Sequence, residues 1–557
     1  MKYPDVNEVR RITPYDGWKL RVALVSPAPY SIGMANLGIH LVYAAFNRIP
    51  GVACHRFFAQ TLSLTHRHSP TPNPPLSIET TEPLSRYHVI AFSFSYENDL
   101  FNLPNMLRSA GIPLLSWERG PAFPLVIAGG VVATINPEPF ANLVDACVLG
   151  ESEEIIPQLT QQLVDHWVLS RDKDETLEAI GSIPGVYIPS WFQPIYNDKG
   201  AFTNMSFAHQ ERAPNLARRY IPDLNAIPGS MVIHTPNTEL KELHLVEISR
   251  GCPNRCRFCL IPQCYGPFRY RSALSVIQEA ELSPPKWRIG LLGAGCSLHP
   301  FLKDICHELV FREKPFSLSS LHVSGFRNNE ADCILASGTR TLTLAPEVGD
   351  DGKRRFIGKN FTNEQLISVV GKLALHPIKT IKLYFMVGLP EETLNDLDHI
   401  IALCVQIQKV IREVNMHSST IPRLLASVSC FVPKALSAFE RALMNTEKDL
   451  KAKIQYIQAG LKFDREIRFT SNTPRHAVIQ ELFARGDRQV SDYLIQASSP
   501  GIDWYQKFTS MQKTKKVNSN RYFSDKPLPW DHLKAPLFCN DFESRQEKRH
   551  VGNRSKD

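Results

Sequence analysis

Short apolar runs alternate with amphipathic stretches through most of the sequence. Between residues 20 and 165, RVALVS at 21–26, YHVIAFSFS at 87–95, PLVIAGG at 124–130 and ACVLGE at 146–151 read as strands. Apolar positions three and four apart predict helices over 39–46 and 102–110. Strands alternating with helices predict a parallel, doubly wound α/β sheet over 1–165, with ligand room at the strand carboxyl ends. Residues 166–240 are punctuated by Pro, Asn and Gly, hold only short strand-like pieces such as GVYIP at 185–189, and read as a connector. The alternation then resumes six times over 241–470. Strands are predicted at 243–249, 288–294, 319–325, 341–346, 380–387 and 424–431, and helices at 273–282, 300–311, 363–374, 394–414 and 447–462. Six such units predict a partial (β/α)6 form of the TIM barrel, in which reacting groups sit at strand carboxyl ends. Residues 471–557 read as a helical extension, with an amphipathic helix closing at Gly486, and a basic tail.

Composition narrows the class. The 557 residues leave room for several domains, and 43% hydrophobic content is ordinary for a globular chain. No run of 18 apolar residues suggests a membrane span, and the polar start of the chain carries no secretory h-region. Twelve cysteines are spread thinly except near residue 252, which predicts a reducing, cytoplasmic setting rather than a disulfide framework. The net charge is +8, and residues 512–557 carry eleven Lys/Arg against six Asp/Glu. Such a tail suits either a solvated end or contact with RNA.

The chemistry concentrates in residues 246–272, VEISRGCPNRCRFCLIPQCYGPFRYRS. Cys252, Cys256 and Cys259 lie at spacings of four and then three, and Gly251 and Pro253 put them on a loop after a buried strand. Three thiolates suit a soft metal centre. A structural zinc site wants four ligands, usually paired, which would draw in Cys264. A redox or structural thiol group is another reading. A third is a 4Fe-4S cluster held by three cysteines, with one iron left open.

This C-x3-C-x2-C after a strand, with the aromatic Phe258 before the last cysteine, resembles the signature of the radical S-adenosylmethionine (radical SAM) superfamily. The resemblance implies an enzyme in which Cys252, Cys256 and Cys259 hold a 4Fe-4S cluster. S-adenosylmethionine would bind the open iron and be cleaved reductively to a 5'-deoxyadenosyl radical. It implies an electron donor such as flavodoxin or ferredoxin, and a substrate that is a small molecule or RNA. It also implies S-adenosylmethionine contacts from Phe258, the glycine turn Gly293-Ala294-Gly295, Ser324 with Arg327, the Glu347 carboxylate, and Met386 with Gly388. Cys430 ends the sixth predicted strand, facing the cavity, and reads either as a substrate-radical partner or thiol acceptor or as an inert core cysteine; Cys264 and Cys296 read by default as inert core cysteines.

Gly129, Gly130 and Glu151, in the N-terminal unit, resemble the Rossmann-like cobalamin-binding domain fused to many radical SAM enzymes. The D-x-H-x-x-G that supplies a histidine to cobalt is missing: that region reads SPAPYSIGMA. Cobalamin binding without a protein imidazole, with methylation as the reaction, and a fold kept as a docking platform both stay open. His40 lies on an apolar helical face and reads as a core or surface histidine. Two further functional readings are an RNA-modifying enzyme of the same chemistry and a non-catalytic metal-binding module.

Overall fold

A computed structural model describes residues 6–61, 64, 73–208, 216–318, 321–326, 337–416, 421–513 and 526–533. Arg327 and most of the basic tail lie outside these described residues.

The first sheet has six strands: β1 (Leu20–Ser26), β2 (Val52–Phe58), β3 (Val89–Ser93), β4 (Leu125–Gly129), β5 (Ala146–Val148) and β6 (Val186–Tyr187). Their spatial order is β2-β1-β3-β4-β5-β6. The first five are parallel and β6 is antiparallel. The chain reverses its winding between β1 and β3, which is where doubly wound sheets open a crevice. Helices Leu37–Asn47 and Ile155–Gln162 contribute to the core on one face, and Asn102–Ser109 to that on the other. All seven residues of β1 are buried, as an apolar central parallel strand demands.

Sequence pattern missed β2 because its VACHRFF holds His55 and Arg56. Both are buried, and the Arg56 guanidinium is neutralised by Glu8 and Glu79, each at 2.7 Å. Strand β6 falls within residues 166–240, so the sheet extends into the stretch read as a connector.

Seven further strands are all parallel: β7 (Leu243–Glu247), β8 (Arg288–Leu292), β9 (Phe316–Leu318), β10 (Thr341–Glu347), β11 (Thr380–Val387), β12 (Arg423–Cys430) and β13 (Ile467–Ser471). β7, β8 and β9 form one sheet and β10 to β13 another. A bridge from Leu321 to Leu344 joins them into the arc of a partial barrel. Helices Ala273–Glu281, Leu302–Phe311, Asn363–Ala374, Leu394–Val414 and Glu447–Leu461 lie close to their expected positions. Two expectations need correction. The third strand is 316–318, ahead of the expected 319–325, and a seventh strand follows the expected six. Only Ile467 of β13 is buried, so this edge strand has no apolar alternation to betray it.

The C-terminal helices Pro474–Arg485, Val490–Ala497 and Trp504–Lys513 fold back on the first domain. Phe483, Tyr493, Trp504 and Trp530 share one core with Phe94, Phe101 and Phe140.

Where the two domains meet, His40, His234 and His244 are buried together. His40 is thus a core histidine, bonded to the Met34 carbonyl at 3.0 Å. His234 Nε2 lies 2.9 Å from His244 Nδ1, so one proton serves both. Burial pushes His40 and His244 down to about 4 and His234 to about 3, from 6.5. The unfolded chain therefore takes up protons first as pH falls below 6.5. Stability is expected to be full above that pH and to decline steadily from there towards about 4. Urea midpoints at a series of pH values would check this. Replacing His234 by Gln should flatten the decline.

Candidate active site

The three cysteines ride on a closed loop at the mouth of the barrel. Just after β7, Ser249–Arg250 pairs antiparallel with Arg269–Tyr270, in the register Ser249 to Tyr270 and Arg250 to Arg269. The chain between these two short strands carries Cys252, Cys256 and Cys259. Gly251 opens it at φ +78°, and a Cβ there would stand 2.7 Å from the Pro267 carbonyl oxygen. Only glycine fits that turn. The Cys259 amide donates to the Cys256 carbonyl at 3.0 Å, curling the loop inward.

All three thiols are partly buried. Burial pushes Cys256 up to about 11, against the pull of the Lys359 ammonium. Cys252 and Cys259 are also raised, first by burial. The thiols sit close enough that a thiolate on one disfavours a thiolate on another. Among the described residues no three His, Cys, Asp or Glu side chains converge tightly enough to share one metal ion. A cubane cluster needs no such convergence, because each cysteine takes a different iron.

The barrel strands bring the other expected residues to the same rim. Gly293, Ala294 and Gly295 turn directly after β8. Their glycines are fixed by packing: a Cβ on Gly293 would stand 2.2 Å from Ser249 Oγ, and one on Gly295 2.9 Å from the Phe268 ring. Glu347 ends β10 at φ +65°, a left-handed backbone that a non-glycine residue adopts at a cost. Its carboxylate pairs with Lys359 at 2.9 Å, and both side chains are about nine-tenths buried. Phe258 and Met386 pack against one apolar cluster with Val348, Leu389, Phe431 and Phe439. Gly388 follows β11 at φ +87°, and its amide donates to Glu392 at 2.8 Å. Ser324 is a correction: it is exposed, on the short turn Val323–Gly325 rather than at a strand end.

His322 and Lys359 reach the site without having been singled out in the sequence. His322 Nδ1 lies 3.2 Å from Asn254 Nδ2 in the cysteine loop, and Nε2 3.3 Å from the Ala294 carbonyl. Burial lowers its pKa, so it ties loop to turn as a neutral ring. Lys359 also donates to the Ala345 carbonyl at 2.6 Å. It follows Gly358, where φ is +81° and a Cβ would stand 2.7 Å from the Arg255 carbonyl oxygen and 3.2 Å from Cys256 Cα. Gly358→Ala should push the cysteine loop outward and cost roughly 1–3 kcal/mol. Iron retained per chain and a urea midpoint, measured together, would show both effects.

Cys430 is buried at the end of β12 with its thiol pushed up to about 12, and Cys264 and Cys296 are buried too.

A cavity of about 440 Å³ separates the two domains. Leu37, Ser93, Gly129 and Gly150 face it from the first domain, and Ser249, Gly251, Gly293 and Ala294 from the barrel domain. Gly129 opens onto it: a Cβ there would meet only Val148, at 3.9 Å. Gly130 is different, since a Cβ would stand 2.5 Å from the Phe94 carbonyl oxygen. Packing, not ligand approach, requires that second glycine. Glu151 lines the same wall but is held in ion pairs to Arg250 at 3.0 Å and Arg269 at 2.6 Å.

Two family profiles match the chain. Residues 38–189 match "Radical SAM proteins, N-terminal", and residues 246–404 match "Radical SAM superfamily". An uncharacterised protein of Methanocaldococcus jannaschii, MJ0966, is 25% identical over 485 residues, covering 86% of this chain and 91% of that one. The ribosomal protein uS12 methylthiotransferase RimO of Thermodesulfovibrio yellowstonii is 22% identical over 29% of this chain and 41% of its own. Among solved structures, the apo cobalamin-dependent S-adenosylmethionine radical enzyme OxsB aligns at 12% identity and a TM-score of 0.45, over 95% of this chain and 81% of that one. The aqua-cobalamin form aligns at 13% identity and a TM-score of 0.41, over 69% of this chain and 52% of that chain.

Proposed function

The chain belongs to the radical SAM superfamily, an enzyme family built on a 4Fe-4S cluster and S-adenosylmethionine, and from that membership we propose that Cys252, Cys256 and Cys259 hold the cluster. The observation that carries the proposal is the position of the three thiols. They lie on one inward-curled loop at the carboxyl ends of the barrel strands, beside a glycine turn and a buried, strained carboxylate. A cluster held by Cys252, Cys256 and Cys259 would supply, once reduced by an external donor, the electron for reductive cleavage of S-adenosylmethionine to a 5'-deoxyadenosyl radical.

The remaining work belongs to the protein. The backbone of Gly293 to Gly295, braced by His322, offers polar groups at the rim. Glu347 accepts from vicinal hydroxyls of a ribose, which one carboxylate can take together. Phe258 and Met386 give the adenine an apolar wall. The cavity beyond Gly293, lined on its far side by Leu37 and other first-domain residues, offers room for the group to be attacked.

The same cavity reaches the crevice between β1 and β3, and Gly129 lets a large cofactor approach backbone there. We assign this crevice to cobalamin bound without a protein imidazole, since no histidine lines the cavity among the described residues. Methylation of the substrate would then be the reaction. The test is anaerobic reconstitution with iron and sulfide, with and without cobalamin, followed by assay for 5'-deoxyadenosine. A cluster and 5'-deoxyadenosine support the radical reading. Retention of cobalamin through gel filtration supports the second assignment, and its loss removes methylation by that route. A colourless protein carrying one zinc per chain would overturn the whole reading.

A further inference from the structure

Glu151 stands in the first domain, yet its carboxylate reaches both legs of the ribbon that carries the cysteines. Arg250 and Arg269 are direct register partners on that ribbon. Two guanidiniums facing each other repel, so the ribbon would not close unaided. Glu151 is the counter-charge between them. Its Oε2 lies 3.0 Å from Arg250 Nη1 and 3.1 Å from Arg269 Nη1, and its Oε1 lies 2.6 Å from Arg269 Nη2. The Ile221 amide donates to Oε2 at 2.6 Å. Glu153 adds a second bond to Arg250 at 2.9 Å, and Glu247 a third at 2.9 Å. Glu151, Arg250 and Arg269 are each at most 7% exposed. The turn that presents Glu151 is itself specific. Gly150 has φ +91°, and a Cβ there would stand 2.3 Å from the Arg219 carbonyl oxygen.

We propose that Glu151 is a positioning residue for the cluster: by fastening Arg250 and Arg269 together it holds the cysteine loop in its closed form, so the cluster site is built jointly by both domains. The inference rests on the reading of Cys252, Cys256 and Cys259 as cluster ligands. It also explains why Gly150-Glu151 lies on a cavity wall without Glu151 being available to a ligand. Without Glu151, Arg250 keeps Glu153 and Glu247 but Arg269 loses the carboxylate that ties it to Arg250, and the buried, unpaired guanidinium would push its leg of the ribbon away.

The test compares Glu151→Gln with Glu138→Gln in the full chain after anaerobic reconstitution. Glu138 is likewise a buried carboxylate of the same domain, paired with Arg488 at 2.9 Å and not part of the cavity lining. Three quantities are read: the rate at which a chelator strips iron, the paramagnetic resonance signal of the reduced cluster, and the thermal midpoint. Glu151→Gln should lose iron several-fold faster than wild type and shift the resonance signal. Glu138→Gln should lower the midpoint and leave the other two unchanged. Glu151→Asp keeps the charge on a shorter arm, should fall between Glu151→Gln and wild type, and serves if the Gln variant does not fold. Wild-type iron retention and an unshifted signal in Glu151→Gln would overturn the proposal. So would equal iron loss in both variants at equal loss of thermal stability. If wild type takes up no cluster, the reading of the cysteines fails first, and the role of Glu151 falls with it.

Discussion

Replacing any one of Cys252, Cys256 and Cys259 by alanine is expected to abolish release of 5'-deoxyadenosine, and iron bound after reconstitution should fall with it. The effect is expected to be complete because, among the described residues, the nearby thiols are poorly placed to stand in. Cys264 and Cys296 are buried at 4% and 0% exposure. The Cys264 thiol is driven well above its ordinary range by burial, and Cys296 points its sulfur at the Leu291 carbonyl. A substitute ligand would have to be pulled out of a packed core, where voids cost several kcal/mol. Liquid chromatography of quenched reactions with dithionite as reductant reads the outcome directly. A triple alanine variant that still splits S-adenosylmethionine would show that these thiols are not the centre.

The second large effect is expected at Glu347. Its left-handed backbone is stored strain, and such residues persist only where the surroundings hold them. Here Lys359 does so, through the ion pair and through its bond to Ala345. Loss of a hydrogen bond to a charged group costs about 1.5–3 kcal/mol, so Glu347→Gln should weaken S-adenosylmethionine binding roughly 10- to 100-fold. Lys359→Met should weaken it too, because it frees the carboxylate to swing. The double variant should lose less than the two single losses combined, as expected for groups in direct contact. Equilibrium binding to the reconstituted protein measures all three. Wild-type affinity in Glu347→Gln would remove the residue from the cofactor site.

Much of this arrangement was legible in the residues. The cysteine loop announces itself through three thiols within eight positions, and the barrel through six apolar strands, five of them followed by a helix. Strands β2 and β13 escaped because what stabilises them is not alternation. Arg56 in β2 is buried only because Glu8 and Glu79, 48 and 23 positions away, come to it. No local pattern carries that. β13 is an edge strand whose side chains mostly face outward. Glu151 stood out through its resemblance to a cobalamin-binding domain; its ion pairs to Arg250 and Arg269, about a hundred positions onward, could not be read locally. His322 and Lys359 were invisible for the same reason, since each earns its place from a neighbour brought in by the fold. The Gly-Lys pair at 358 and 359, just past a run of cationic residues, is the one signal that could have flagged Lys359.

The last described segment has a consequence for how the molecule is made. Leu528, Trp530 and Leu533 are buried against residues of the first domain, and the Trp530 ring N–H donates to Glu440 at 2.8 Å. A ribosome delivers the first domain hundreds of residues before it delivers these. One flank of that early domain therefore stays greasy and uncovered for most of synthesis, a state that invites aggregation. That flank is covered only once residues 526–533 have left the ribosome and docked.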